Sequence, residues 1–153
     1  GPRLMEQARR VARIVCLWSF FTGMVMGVVL WLGKPLVVAF FVPPSAIDLF
    51  IPAWTIAALI QPVNALAFAT DGIHWGSGDF RYLRNAMLGA SALGVLAVFM
   101  LDTAHPQALV RLWVITGGWI TLRALFGILR IWPGVGYSPL ACAIHRPSSP
   151  PEE

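Results

Sequence analysis

The residues able to do chemistry in this chain are few and stand close together. In "QPVNALAFATDGIHWGSGDF", Gln61, Asn64, Asp71 and His74 lie inside a long apolar stretch, and Arg123 interrupts another. Gln61, Asn64, Phe68 and Asp71 follow at intervals of three, four and three residues. At about 100° per residue they share an arc of roughly 80° on one helix face, and three of the four are polar. A carboxylate and two amides on one face can hold a cation or a proton, or pair with a guanidinium. An aspartate turned toward lipid would cost about 2.5 to 3.5 kcal/mol, so this seam is expected to face protein or water. Arg123 precedes Arg130 by seven residues. That sets it roughly 10 Å above the same membrane boundary, a depth similar to that of Asp71, and an Asp71 to Arg123 ion pair is the expectation.

Two readings stay open for each partner. The helix either ends at Thr70, leaving Asp71-Gly72 as an ordinary turn, or it continues to about Gly78 and holds Asp71 roughly 12 Å inside the boundary at Asp79. Arg123 either pairs with Asp71 or snorkels to the headgroups. His74 has no second ligand at metal spacing and reads as a hydrogen-bonded helix residue rather than a metal or proton site. Gly72, Gly76 and Gly78 form a small-residue surface for helix packing, Gly72 to Gly76 being a GxxxG spacing, with Gly89, Ala90 and Gly94 able to pack in return. No Ser/His/Asp, Cys/His, phosphate-loop or zinc signature is present, so no catalytic residue, metal ligand or cofactor is assigned. A metal motif opening on Asp-Gly would need further aspartates at fixed spacing, and only Asp79 follows Asp71 before Asp102. The chain does not read as an enzyme. Cys16 and Cys142 have no CxxC context and no structural disulfide is expected.

The elements that position these residues are membrane spans. Hydrophobic residues make up 58% of the chain and charged residues only 12%, with mean hydropathy +0.72, far from the balance of a soluble domain. The 20 residues from Ile14 to Gly33 carry no charge and cover about 30 Å as a helix, the thickness of the hydrocarbon layer. The pattern predicts an all-α membrane protein with four spans, at about 14–33, 49–78, 85–101 and 109–131. The second is expected to bend at Pro62, because membrane helices accept proline where neighbours re-satisfy the freed carbonyl. "KPLVVAFFVPPSAID", "GSGDFR" and "DTAHPQ" connect the spans, the first apolar enough to lie in the interface. Residues 1–13 form a basic lead-in, 14–132 the membrane unit, and 133–153 a tail whose "IHRPSSPPEE" composition predicts disorder.

With the N-terminus inside, Arg3, Arg9, Arg10, Arg13, Arg81, Arg84, Arg130 and Arg146 flank cytoplasmic ends, against Lys34 and Arg111 outside. Both termini are therefore placed in the cytoplasm. This asymmetry accounts for the net charge of +4 without nucleic acid, and membrane lipids are the expected partners of the basic start.

"QPVNALAFATDGIHWGSGDFRYLRNAM" resembles the tenth-helix region of multidrug and toxic compound extrusion (MATE) transporters, particularly the DinF-like branch. Pro62, the run Ala65 to Phe68, Asp71 to Ile73 and Gly76 to Met87 carry it. "RRVARIVCLWSF" is similar to the lead into the ninth helix and "LRALFGILRIWP" to the close of the twelfth. The resemblance implies the last four helices of a twelve-helix, two-lobed fold, with the N-terminal part of the transporter as the missing partner. It further implies alternating-access export of drugs or other small organic solutes, coupled to H+ or Na+, in a multi-pass plasma membrane, that of the bacterial inner membrane. Asp71 then joins a polar transport network with Gln61, Asn64 and Arg123. The absence of Met at position 1 fits a fragment, although Gly1-Pro2 also fits an expression scar. The alternative is a free-standing four-helix membrane scaffold or assembly protein with a structural Asp71.

Overall fold

The computed structural model describes residues 2–132 and 138–140. The rest of the tail, with Cys142 and Arg146, lies outside the described residues. Regular structure within them is wholly helical: α1 (Pro2–Phe41), a 3-10 turn (Pro44–Ala46), α2 (Ile47–Leu59), α3 (Gln61–Ser77), α4 (Phe80–Phe99) and α5 (Ala108–Ile131). The helices α1, α4 and α5 are each long and apolar enough to cross a membrane, and α2 and α3 make a fourth crossing when taken as one bent span.

The first span is longer than its uncharged run. The connection expected from Lys34 to Asp48 is instead mostly helix, since α1 runs through Pro35 to Phe41. Pro35 removes one backbone donor, but the apolar residues from Leu36 to Phe41 offer no glycine or polar stop. Trp54 Nε1 donates to the Leu30 carbonyl at 2.8 Å and ties this half of α1 to α2.

The second span is broken, with a 44° bend between α2 and α3. Pro62 sits in the first turn of α3, where a missing N–H is tolerated, and cannot supply the donor that the Ala58 carbonyl would receive in a continuous helix. Gln61 Nε2 donates to the Ala57 carbonyl at 3.0 Å, giving the break a side-chain donor. From there α3 continues through Asp71 to Ser77, so the aspartate is a helix residue and not a turn. Gly78 ends the helix with φ +74, a conformation that glycine adopts without strain. Asp79 N donates to the His74 carbonyl and Gly78 N to that of Trp75, at 3.0 and 3.2 Å, which is a Schellman closure.

α3 occupies the middle of the bundle. It lies antiparallel to α1, with Gly23 against Gln61 and Pro62 at one end and Ala12 near Ile73 at the other. It lies parallel to α5, with Gly117 against Ile60 and Gly127 against Thr70. α4 packs antiparallel along α5, where Gly94 meets Trp119.

Seven of the twelve buried hydrophobic residues among those described are alanines, while Phe40, Phe41, Phe99 and Leu32 are each at least 70% exposed. Small residues inside and large apolar ones outside is the pattern of helices packed for lipid, where close backbone approach replaces a hydrophobic core. The closest approaches are made by glycines other than those the sequence singles out. A Cβ on Gly23 or Gly27 would stand 2.7 Å from the Gln61 or Ala58 carbonyl oxygen, so this GxxxG pair in α1 seats the α2–α3 break. A Cβ on Gly127 would collide with the Thr70 side chain. Among the described residues, Gly72 and Gly76 have nothing within 4 Å of an added Cβ, and Gly78 terminates the helix. Of the suggested return surface, Gly89 is likewise open, while Ala90 is fully buried.

Candidate functional site

Because α3 and α5 run parallel, residues two turns apart along α3 and the turn that closes it meet residues two turns apart on α5. Arg123 Nη2 donates to Asp71 Oδ2 at 2.5 Å, joining the second and fourth spans. Seven residues on, Arg130 Nε donates to Asp79 Oδ2 at 2.9 Å. The sequence treats Asp79 and Arg130 only as boundary markers. Their spacing from Asp71 and Arg123, eight and seven residues, was the available signal that one pairing entails the other.

The inner pair is the more enclosed, its Arg123 and Asp71 side chains being 9% and 14% exposed. The guanidinium lies 5.0 Å from the Trp119 ring and 5.7 Å from that of Phe68, so the snorkelling alternative does not describe it. Aromatic faces stabilise a cation electrostatically and hold its plane in place. Arg123 Nε is buried and has no hydrogen-bond partner among the described residues.

The outer pair is built by the Schellman closure, which brings Asp79 back beneath His74. The Asp79 carboxylate makes no capping bond to α4, although it stands at that helix's N-terminus, because it is held by Arg130. The Arg130 guanidinium lies 4.8 Å from the Tyr82 ring, and Tyr82 Oη donates to the Phe126 carbonyl at 2.8 Å. His74 is fully buried between the two pairs, with Nε2 3.3 Å from the Gly127 carbonyl oxygen and Nδ1 3.6 Å from Asp79 Oδ2. Asp71, His74, Tyr82 and Arg123 border a cavity of about 10 Å³, the size of one water.

Gln61 and Asn64 stand two to three turns from this cluster, and among the described residues no hydrogen bond links either to Asp71 or Arg123. Gln61 is engaged at the helix break that Pro62 makes. The structure therefore divides the expected four-residue network into a charged centre, Asp71 and Arg123, and an amide pair beside the break. Among the described residues no group of three His, Cys, Asp or Glu side chains is arranged to hold a metal. Open apolar grooves of about 340 and 420 Å³ flank Trp119 between α4 and α5, and among the described residues no charged one lines them.

A charged pair so placed can exchange partners with a cation or proton, or lock two helices together. Comparison with known proteins gives this arrangement a setting. The chain is 33% identical to the protein DETOXIFICATION 43 of Arabidopsis thaliana over 93 residues, covering 61% of this chain and 17% of the relative. It is 28% identical to DETOXIFICATION 42 over 134 residues, 88% of this chain and 25% of the relative. DETOXIFICATION 45, chloroplastic, is 28% identical over 132 residues, 86% of this chain and 23% of the relative, all from the same plant. The chain thus spans between a sixth and a quarter of the length of the curated relatives it matches. No family model matches it, and no solved structure does.

Proposed function

We propose that this chain is the four-crossing C-terminal part of a MATE-type efflux transporter of the DinF-like branch, and that the whole protein exports drugs or other organic solutes by alternating access. The observation that carries this reading is the similarity to several DETOXIFICATION proteins along most of the chain, which agrees with the resemblance in the stretch from Gln61 to Met87. The broken α2–α3 span supports it, because discontinuous helices with freed carbonyls are how secondary transporters build solute and ion sites away from bulk water. In this reading Gln61 and Asn64 line the approach to the break and Asp71 and Arg123 form the polar centre. A proton or sodium gradient drives the exchange. The missing N-terminal helices complete the cavity. The protein resides in a plasma membrane, the bacterial inner membrane in this branch, with both termini cytoplasmic, an orientation supported by the arginine distribution. No observation favours the free-standing scaffold.

The test is to express the complete reading frame that contains this chain in cells lacking their own exporters and to follow accumulation of a fluorescent organic cation. Energised cells should hold less dye than cells carrying the empty vector, and collapse of the ion gradient should abolish the difference. Equal accumulation with and without the protein, across cationic and anionic dyes, overturns the reading.

A further inference from the structure

Among the described residues, His74 is the largest buried group whose charge can change near neutral pH and which the transport reading does not use. Its surroundings are specific. Nε2 lies within hydrogen-bond distance of the Gly127 carbonyl of α5, whereas Nδ1, which has no hydrogen-bond partner among the described residues, stands 3.6 Å from the Asp79 carboxylate of the α3–α4 turn. A neutral imidazole carries one N–H and can serve only one of them, whereas the imidazolium serves both. In the neutral ring with the proton on Nε2, Nδ1 and the carboxylate would face each other as two acceptors.

We infer that His74 is a proton-binding site whose charged form clamps the end of α3 and the α3–α4 turn onto α5. The titratable and charged groups around it are Asp71 on its own helix, Asp79 in the turn, Tyr82 on α4 with ring centroids 5.3 Å apart, and Arg123 and Arg130 on α5. The two carboxylates attract the proton, while burial of the ring and the Arg123 and Arg130 guanidiniums, each paired with one of those carboxylates, oppose it. The small cavity beside Asp71 and Tyr82 has room for the one water through which a proton reaches a ring that has no exposed surface. Both contacts are made at once only by the imidazolium, so the clamp is closed at low pH and loosens as pH rises through the titration of His74. This inference concerns the chain's own packing and does not depend on what the whole protein carries.

The test uses the unmodified chain, labelled with 15N at its three histidines and reconstituted in lipid bilayers, with ring nitrogen resonances followed by NMR from pH 5 to pH 9. His74 should pass through a state in which both ring nitrogens carry protons. At a fixed pH within that transition its imidazolium fraction should fall in Asp79→Asn and stay unchanged in Asp102→Asn, which alters an exposed carboxylate. Backbone amides from His74 to Leu83 should exchange about tenfold faster once the proton is lost, beyond the intrinsic pH effect measured on His105 and its neighbours. A single neutral tautomer at every pH, or a protonated fraction indifferent to Asp79, overturns the inference. Neither result bears on dye export by the complete transporter.

Discussion

Arg123 and Asp71 are separated by 52 residues in sequence and by 2.5 Å in space, on two helices that run in the same direction. Parallel neighbours cannot be joined by a short turn, so their association must be fixed by contacts along their length. One ion pair, a histidine and one glycine do this between α3 and α5, and a second ion pair ties the α3–α4 turn to α5.

Removing one partner of the inner pair strands the other in a site with little water. Asp71→Asn is expected to destabilise the folded chain by about 2 kcal/mol, since an amide accepts from Arg123 but no longer balances its charge. Arg123→Met should cost a similar amount, and the double variant less than the sum. Thermal unfolding of the four proteins in one detergent measures this coupling. Additive losses would show that the pair contributes nothing as a pair.

Gly127 and Thr70 set the distance between α3 and α5. Gly127→Ala should cost about 1 to 3 kcal/mol through overpacking, because the added methyl meets the Thr70 side chain. Thr70→Gly in the same chain should restore much of the loss relative to Gly127→Ala alone. Unfolding midpoints would decide; a Gly127→Ala protein as stable as the parent contradicts the close approach.

The two glycine spacings make opposite forecasts. Gly23→Ala and Gly27→Ala drive a methyl into backbone at the α2–α3 break and should destabilise the bundle by about 1 to 3 kcal/mol. Gly72→Ala and Gly76→Ala meet open space and should be neutral, or stabilising by up to about 1 kcal/mol through helix propensity. A reversed order in protease resistance or unfolding temperature would return the packing role to α3's glycines.

Gln61 is expected to support the break rather than the charged centre. Gln61→Leu removes the donor to the Ala57 carbonyl and should cost about 1 kcal/mol, and Gln61→Glu should not rescue it, since an ionised carboxylate has no proton to give. The unfolding midpoint of the Glu variant, compared with that of Leu, is the measurement.

The sequence by itself determined the membrane class, four apolar segments, the bend near Pro62 and the matching positions of Asp71 and Arg123 along their helices. These follow from composition, from the fixed rise of a helix, and from the cost of charge in lipid, which are properties of a segment taken alone. Only the tertiary structure decided that α1 runs on through Pro35, that Gly23, Gly27 and Gly127 make the closest approaches among the described residues, and that His74 lies between two ion pairs. A GxxxG spacing states which residues share a face but not which face meets a neighbour. Gly72 and Gly76 satisfy the spacing and turn outward, while the same spacing at Gly23 and Gly27 meets backbone. Asp79 and Arg130 stand at helix ends in the sequence, where charge is unremarkable. What joins them to His74 is the parallel register of α3 and α5, and that register is set by close contact at Gly127, between residues more than fifty positions apart.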